Sequence, residues 1–145
     1  MKPLILVAVL GLGVGVSAGA AQYTLLVYEP PQEFAKRTDT GAAGRAYWAS
    51  YQKFGGALQA AGVLRGGAAL HTPDHGRTVT TVEGAPRFVL QTDSDSARRL
   101  GGCFVIDVDN LDSALDWAAR VPAAANGGAV EVRPAYPMPD RNVSR

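Results

Sequence analysis

Residues 102–133 read GCFVIDVDNLDSALDWAARVPAAANGGAVEVR. The run Gly102 to Val108 is apolar and β-favouring, so it predicts a strand. Leu111, Ala114, Leu115 and Ala118 then recur at three- and four-residue spacing, which predicts a helix from Leu111 to Val121 with those residues on its inner stripe. Asp109 or Asn110 caps it, Asp112 sits in its first turn where the helix dipole favours a carboxylate, and Pro122 stops it. Ala129 to Arg133 (AVEVR) returns as a short strand. The stretch is therefore a β-α-β unit.

A second unit lies upstream. Tyr23 to Tyr28 (YTLLVY) reads as a largely buried strand ended by Pro30-Pro31, and Glu29 to Ala43 as a long polar connection. From Gly44 to Ala61, the residues Tyr47, Tyr51, Phe54, Leu58 and Ala61 share one helical face, and Gly62 supplies the stop. Gly55-Gly56 weakens that helix by about 1 kcal/mol per glycine, so packing has to hold it. Val63 to Leu70 is the next strand, with Gly66-Gly67 marking a bulge or a close backbone approach. Arg77–Val82 and Arg87–Gln91 form a hairpin across the turn signal Glu83-Gly84-Ala85-Pro86. The order β-α-β, hairpin, β-α-β predicts an α+β, ferredoxin-like antiparallel sheet with two helices on one face. Both alternations of Tyr23–Tyr28 and Cys103–Val108 are hydrophobic, so the opposite face is expected to be covered too, most simply by a second copy in a homodimer.

The whole chain has 145 residues, 17 of them glycine, with 19% charged and 47% hydrophobic residues. That composition excludes coiled coil, collagen-like fibre and disordered polyelectrolyte, and the length suits one domain. Fourteen basic against 13 acidic residues give a net charge of +1, which supplies no field for nucleic acid or anionic lipid. Cys103 stands alone, so it forms no intramolecular disulfide or cysteine-based zinc site.

Residues 1–20 differ from the rest. Lys2 precedes the apolar run Leu4 to Val16, and Ser17-Ala18-Gly19-Ala20 offers small residues at a signal-peptidase spacing. The reading is a signal peptide cut after Ala20, with Ala21 or Ala18 as neighbouring choices, and an exported product, periplasmic or extracellular, that is free of the membrane once cut. A retained anchor and an unused upstream start are the alternatives; the glycine-punctuated run is at the short end for crossing about 30 Å of hydrocarbon. Gly11-Leu12-Gly13-Val14-Gly15 is not a dinucleotide loop, because Val16 takes the third glycine's place and no strand and amphipathic helix flank it. The domain then runs over 21–134, and 135–145 is a loosely ordered Pro-rich tail.

In order and spacing, Tyr23–Pro30 (YTLLVYEP), the helix with Tyr47-Trp48, Gly66–Leu70 (GGAAL), Leu100–Asp107 (LGGCFVID), Leu111–Ala119 (LDSALDWAA) and Ala129–Pro134 (AVEVRP) resemble the YCII-related domain family in its DGPF branch. The resemblance implies a dimeric α+β barrel with a cleft between sheet and helices. It also implies acid–base chemistry on small aromatic or lactone-like compounds in some members, and an association of the DGPF branch with sigma-factor signalling. The implied signatures are eroded here. The first helix lacks the histidine of the YCII acid–base dyad, and Gly-Pro-Phe is absent near Leu90–Asp93, which leaves Asp93 as the one inheritor of the family's acidic group.

Other polar residues give weaker signals. His71 and His75 could offer imidazoles to a metal with Asp74, but no third histidine completes a site, and the loop reading is preferred. Asp107, Asp109 and Asp112 fit helix capping better than a calcium loop, since Asp112 occupies the required glycine position. Ser94 and Ser96 have no paired base, and Cys103 has no basic neighbour to activate it, which makes it an inert core residue. Tyr28, Glu29 and Trp48 are candidate ligand-binding residues near a cleft. No motif calls for a cofactor or a metal. Three function classes remain: a noncatalytic small-ligand-binding domain, favoured because the acid–base motifs are eroded; a lyase or isomerase using Asp93 and His71 for proton transfer; and an envelope signalling interaction protein. A closed apolar cleft with a converging carboxylate would speak for the second, and an apolar patch away from the dimer face for the third.

Overall fold

The computed structural model describes residues 19–90 and 97–137. Strand β1 (Ala21–Glu29) leads through a short helix α1 (Pro31–Ala35) into the long helix α2 (Ala42–Ala60) and strand β2 (Leu64–Ala69). A single 3-10 turn, Pro73–His75, precedes the hairpin β3 (Arg77–Val82) and β4 (Ala85–Leu90). Strand β5 (Arg99–Val108), helix α3 (Leu111–Ala118), helix α4 (Pro122–Ala125) and strand β6 (Ala129–Pro134) follow. The main sheet has the order β2-β5-β1-β6 with every neighbour antiparallel, while among the described residues β3 and β4 pair with each other alone. This is the ferredoxin-like order, with the hairpin as an insertion.

Alternation decides what each sheet face carries. In β1, Tyr23, Leu25, Val27 and Glu29 are buried, while Thr24, Leu26 and Tyr28 are half-buried on the other face. The inward set packs with Phe54 and Leu58 of α2, Ile106 and Val108 of β5, and Ala114 and Ala118 of α3 as one core. Helix α2 ends as expected: Gly62 takes φ +70°, with Val63 N–H donating to Leu58 and Gly62 N–H to Gln59, a Schellman stop. The hairpin turn is Glu83-Gly84, both at positive φ, so Ala85-Pro86 belong to β4 rather than to the turn.

Several expectations need correcting. Helix α3 ends at Ala118, and Pro122 opens α4, where its missing N–H is harmless. Leu111 and Leu115 are 46% and 47% exposed, because the buried stripe runs through Ala114, Ala118 and Val121, with Trp117 packed beside it. Asn110, not Asp109, is the cap, accepting from Ser113 N–H at 2.9 Å. Ala61 is exposed, and the connection after Glu29 contains α1. Cys103 alternates with the inward Phe104 and Ile106, so it is half-buried on the face away from the helices, not in the core.

Glycines set the close contacts on the β2 side. The register shifts between Leu64 and Gly66, freeing Arg65 to reach Asp107 at 2.6 Å. A Cβ on Gly67 would fall 2.5 Å from the Cys103 carbonyl oxygen, and one on Gly102 2.4 Å from that of Ala68. Both bulge and close approach are therefore present in this stretch.

Candidate small-molecule cleft

Glu29 has the same strand parity as Tyr23, Leu25 and Val27, so its carboxylate enters the protein interior, where it is 1% exposed. A buried carboxylate needs partners, and three elements bring them. Pro30-Pro31 end β1 and start α1, whose one turn carries the chain back so that Arg37 Nη2 lies 2.5 Å from Glu29 Oε2. Helix α2 supplies Tyr47 and Tyr51 from successive turns of its inner face. The Tyr51 hydroxyl is 2.5 Å from Oε1, and the Tyr47 hydroxyl 3.0 Å from both oxygens. The ion pair is nearly dry, with Arg37 only 12% exposed at its side chain.

Close packing holds the group in place. A Cβ on Gly44 would fall 1.7 Å from the Asp39 carbonyl oxygen, so glycine lets the start of α2 press against the turn that carries Arg37. At Gly101 a Cβ would lie 2.5 Å from Arg37 Nη2 and 2.7 Å from Glu29 Oε2, in the space the ion pair fills. Arg37 also donates from Nη1 to the Leu70 carbonyl at 2.5 Å and lies 4.2 Å over the Phe34 ring. Trp48 Nε1 donates to the Arg37 carbonyl at 3.2 Å, and its ring stands edge-on to Tyr47 at 5.1 Å.

Beside this group a cleft of about 300 Å³ opens between α2 and the β2–β5 side of the sheet. Val27, Tyr47, Trp48, Tyr51 and Phe104 form its walls, and it is mostly apolar. Its space comes from missing side chains: Gly67, Ala68, Ala69, Gly101 and Gly102 occupy the sheet side. Arg37 and Gln52 are the long polar side chains on its lining. Glu29 lies behind the phenols and Arg37, outside the lining itself.

Burial first, and the charge of Glu29 after it, push the Tyr47 phenol well above the usual tyrosine range. For Tyr51 burial again leads, followed by its hydrogen bond to Glu29. Both phenols therefore keep their protons at neutral pH. The unfolded chain would ionise them near pH ~10 while the folded chain would not, so their stabilising contribution is present below that pH and is lost as pH rises. Urea midpoints measured from about pH 9 to 11 should fall more steeply in the wild type than in Tyr51→Phe. Parallel slopes would contradict the burial of this hydroxyl.

The other residues singled out from sequence lie in three places. Trp48 lines the cleft, 38% exposed, and Glu29 anchors its back wall. Tyr28 is on the opposite sheet face, its hydroxyl 3.3 Å from Glu131 Oε2. His71 stacks on His75 at 4.9 Å beside a neighbouring hollow of about 300 Å³, which shares Arg37, Trp48 and Ala69 with the cleft. Asp93 lies outside the described residues, as do Ser94 and Ser96. Among the described residues no group of three or more His, Cys, Asp or Glu side chains could hold a metal ion. Arg37, Tyr47 and Tyr51 were not among the sequence candidates. The signal for them was Glu29 itself, an acidic residue at an inward position of an apolar strand.

A family model of the YCII-related domain matches residues 21–139. No curated protein matches the chain.

Proposed function

We propose that this chain, which belongs to the YCII-related domain family, is an exported, homodimeric binding domain that holds a small organic molecule in the cleft without acid–base processing. The observation that carries this reading is the state of Glu29. A carboxylate that converges on a cleft suggests proton transfer, but every side of this one is engaged: Oε1 by Tyr51 and Tyr47, Oε2 by Arg37 and Tyr47. A general base needs a free lone pair within reach of the substrate. Glu29 instead fixes the aromatic wall, and the phenols with raised pKa are poor proton donors and acceptors at neutral pH.

Ala69 supplies the test. It is exposed, lies on the sheet side of the cleft, and has no bulk of its own there. Ala69→Phe should fill the cleft and leave the fold intact. Ligand-observed NMR against a fragment set should detect binders to the wild type that lose binding by about tenfold or more in this variant, since the aromatic ring takes the space a ligand would bury. Binders unaffected by Ala69→Phe would place the site elsewhere. Turnover of any bound compound, lost in His71→Ala or Asp93→Asn, would replace the binding reading with the proton-transfer one. Export rests on the apolar run and small residues of 1–20; intact Met1 on protein from its native cells would contradict it.

One observation favours a second reading, an interaction protein. The hairpin exposes Val79 and Phe88, a cross-strand pair, at 57% and 69%, with Val82 and Val89 also exposed. A two-stranded sheet standing apart is marginal in water, and an apolar pair on its surface suits a protein partner.

A further inference from the structure

We infer that the cleft selects an uncharged molecule that donates a hydrogen bond into it, a hydroxyl or N–H compound, over ethers and anions of the same shape. The inference rests on the binding reading and names the chemistry of that same site.

Tyr47, Tyr51 and Arg37 are at once lining residues of the cleft and partners of Glu29. A phenol has one proton to donate and two lone pairs to accept with. Both protons are spent on Glu29, at 2.5 Å from Tyr51 and 3.0 Å from Tyr47. The phenol oxygens therefore have only lone pairs left for the cleft. A ligand hydroxyl or N–H satisfies them; an ether oxygen placed against them is an acceptor facing an acceptor. Because both phenols donate to the Glu29 side chain, which Arg37 also pairs, the phenol oxygens are more electron-rich than in a free tyrosine, which strengthens a donated bond.

Charge selection follows from the same group. Glu29 and Arg37 cancel, so the cleft carries no net charge to answer an ion. An anionic ligand would have to compete with Glu29 for Arg37, whose Nη2 is bound to the carboxylate and whose Nη1 is bound to the Leu70 carbonyl. Arg37 Nε is buried without a hydrogen-bond partner among the described residues. Without accessible surface, that N–H is out of a ligand's reach and offers nothing to an anion. A cleft of about 300 Å³ is at the small end for such sites, suiting a compound of one or two rings.

Three probes of matched shape test this: 2-naphthol, 2-methoxynaphthalene and 2-naphthoate, titrated into the full-length protein by Trp fluorescence and calorimetry at neutral pH. The naphthol should bind about tenfold or more tightly than either other probe, the cost of leaving buried acceptors unpaired. In Tyr51→Phe that advantage should shrink severalfold while the ether keeps its affinity; Tyr47→Phe is the second variant should Tyr51→Phe not fold. Ether or naphthoate binding as tightly as naphthol would overturn the donor inference and leave the binding reading standing. Failure of all three to bind in a protein whose cleft takes other fragments would also overturn it. Fragments that ignore Ala69→Phe would remove the binding reading beneath it.

Discussion

Arg37→Ala should cost about 3–5 kcal/mol of folding stability, because it leaves a buried carboxylate without its counter-charge. Glu29 is essentially without solvent contact and its pair with Arg37 is 2.5 Å long, so the screening that makes surface pairs worth little does not apply here. The alanine also gives up the hydrogen bond to Leu70, just after β2, and the stacking on Phe34. Two hydroxyls remain on the carboxylate, but neutral donors do not replace the cation. The companion variant Glu29→Gln/Arg37→Met removes both charges and keeps most of the volume. It should lose clearly less than the sum of the single changes, since a missing pair is tolerated where half a pair is not. Urea denaturation of the wild type, Glu29→Gln, Arg37→Met and the double variant measures the cycle. A loss below about 1 kcal/mol in Arg37→Ala would mean that the pair behaves as an exposed one.

The same pair explains why the fold was more legible than the site. Strand–helix order, the hairpin and the α2 stop could be read from local signals: alternation in Tyr23–Tyr28, the three- and four-residue spacing of Tyr47 to Leu58, and Gly62 after it. Where two stripes overlap, periodicity alone chooses badly. Leu111-Ala114-Leu115-Ala118 and Ala114-Trp117-Ala118-Val121 share both alanines, and the second is buried because the alanines allow close approach to the sheet while Trp117 reaches Phe54. The site was hidden differently. Tyr47 and Tyr51 lie on the inner stripe and read as core, yet a buried tyrosine has a polar tip that needs a partner, and periodicity says nothing about tips. Arg37 sat in a stretch read as a polar connection, where α1 was too short to show a period. Trp48 stands beside the stripe of Tyr47 and Tyr51, and that position sets it at the cleft rather than in the core.

Wild-type protein should sediment as a dimer at micromolar concentration, and Val105→Arg as a folded monomer. The neighbours of Val105 in β5, Phe104 and Ile106, point to the helices, so Val105 points to the other sheet face. There it lies across from Thr24 and Gly66, next to the row formed by Cys103, Leu26, Ala68 and Glu131. The centre of this face is apolar, and the charges around it are answered within the chain: Arg65 with Asp107, and Arg133 with Glu131, each at 2.6 Å. An apolar centre flanked by ion pairs that need no outside partner is what the expected dimer would bury. An arginine at Val105 would be a desolvated charge in that centre, occurring in both copies by symmetry, and about 3–5 kcal/mol of penalty raises the dissociation constant by roughly a hundredfold or more. In the monomer the same residue faces water, so the urea midpoint at low protein concentration should barely move. Phe104→Arg, by contrast, puts its charge into the contact with Phe54 and should unfold the domain. A wild type that remains monomeric at tens of micromolar, or a Val105→Arg protein as dimeric as the wild type, would place the subunit contact elsewhere or remove it.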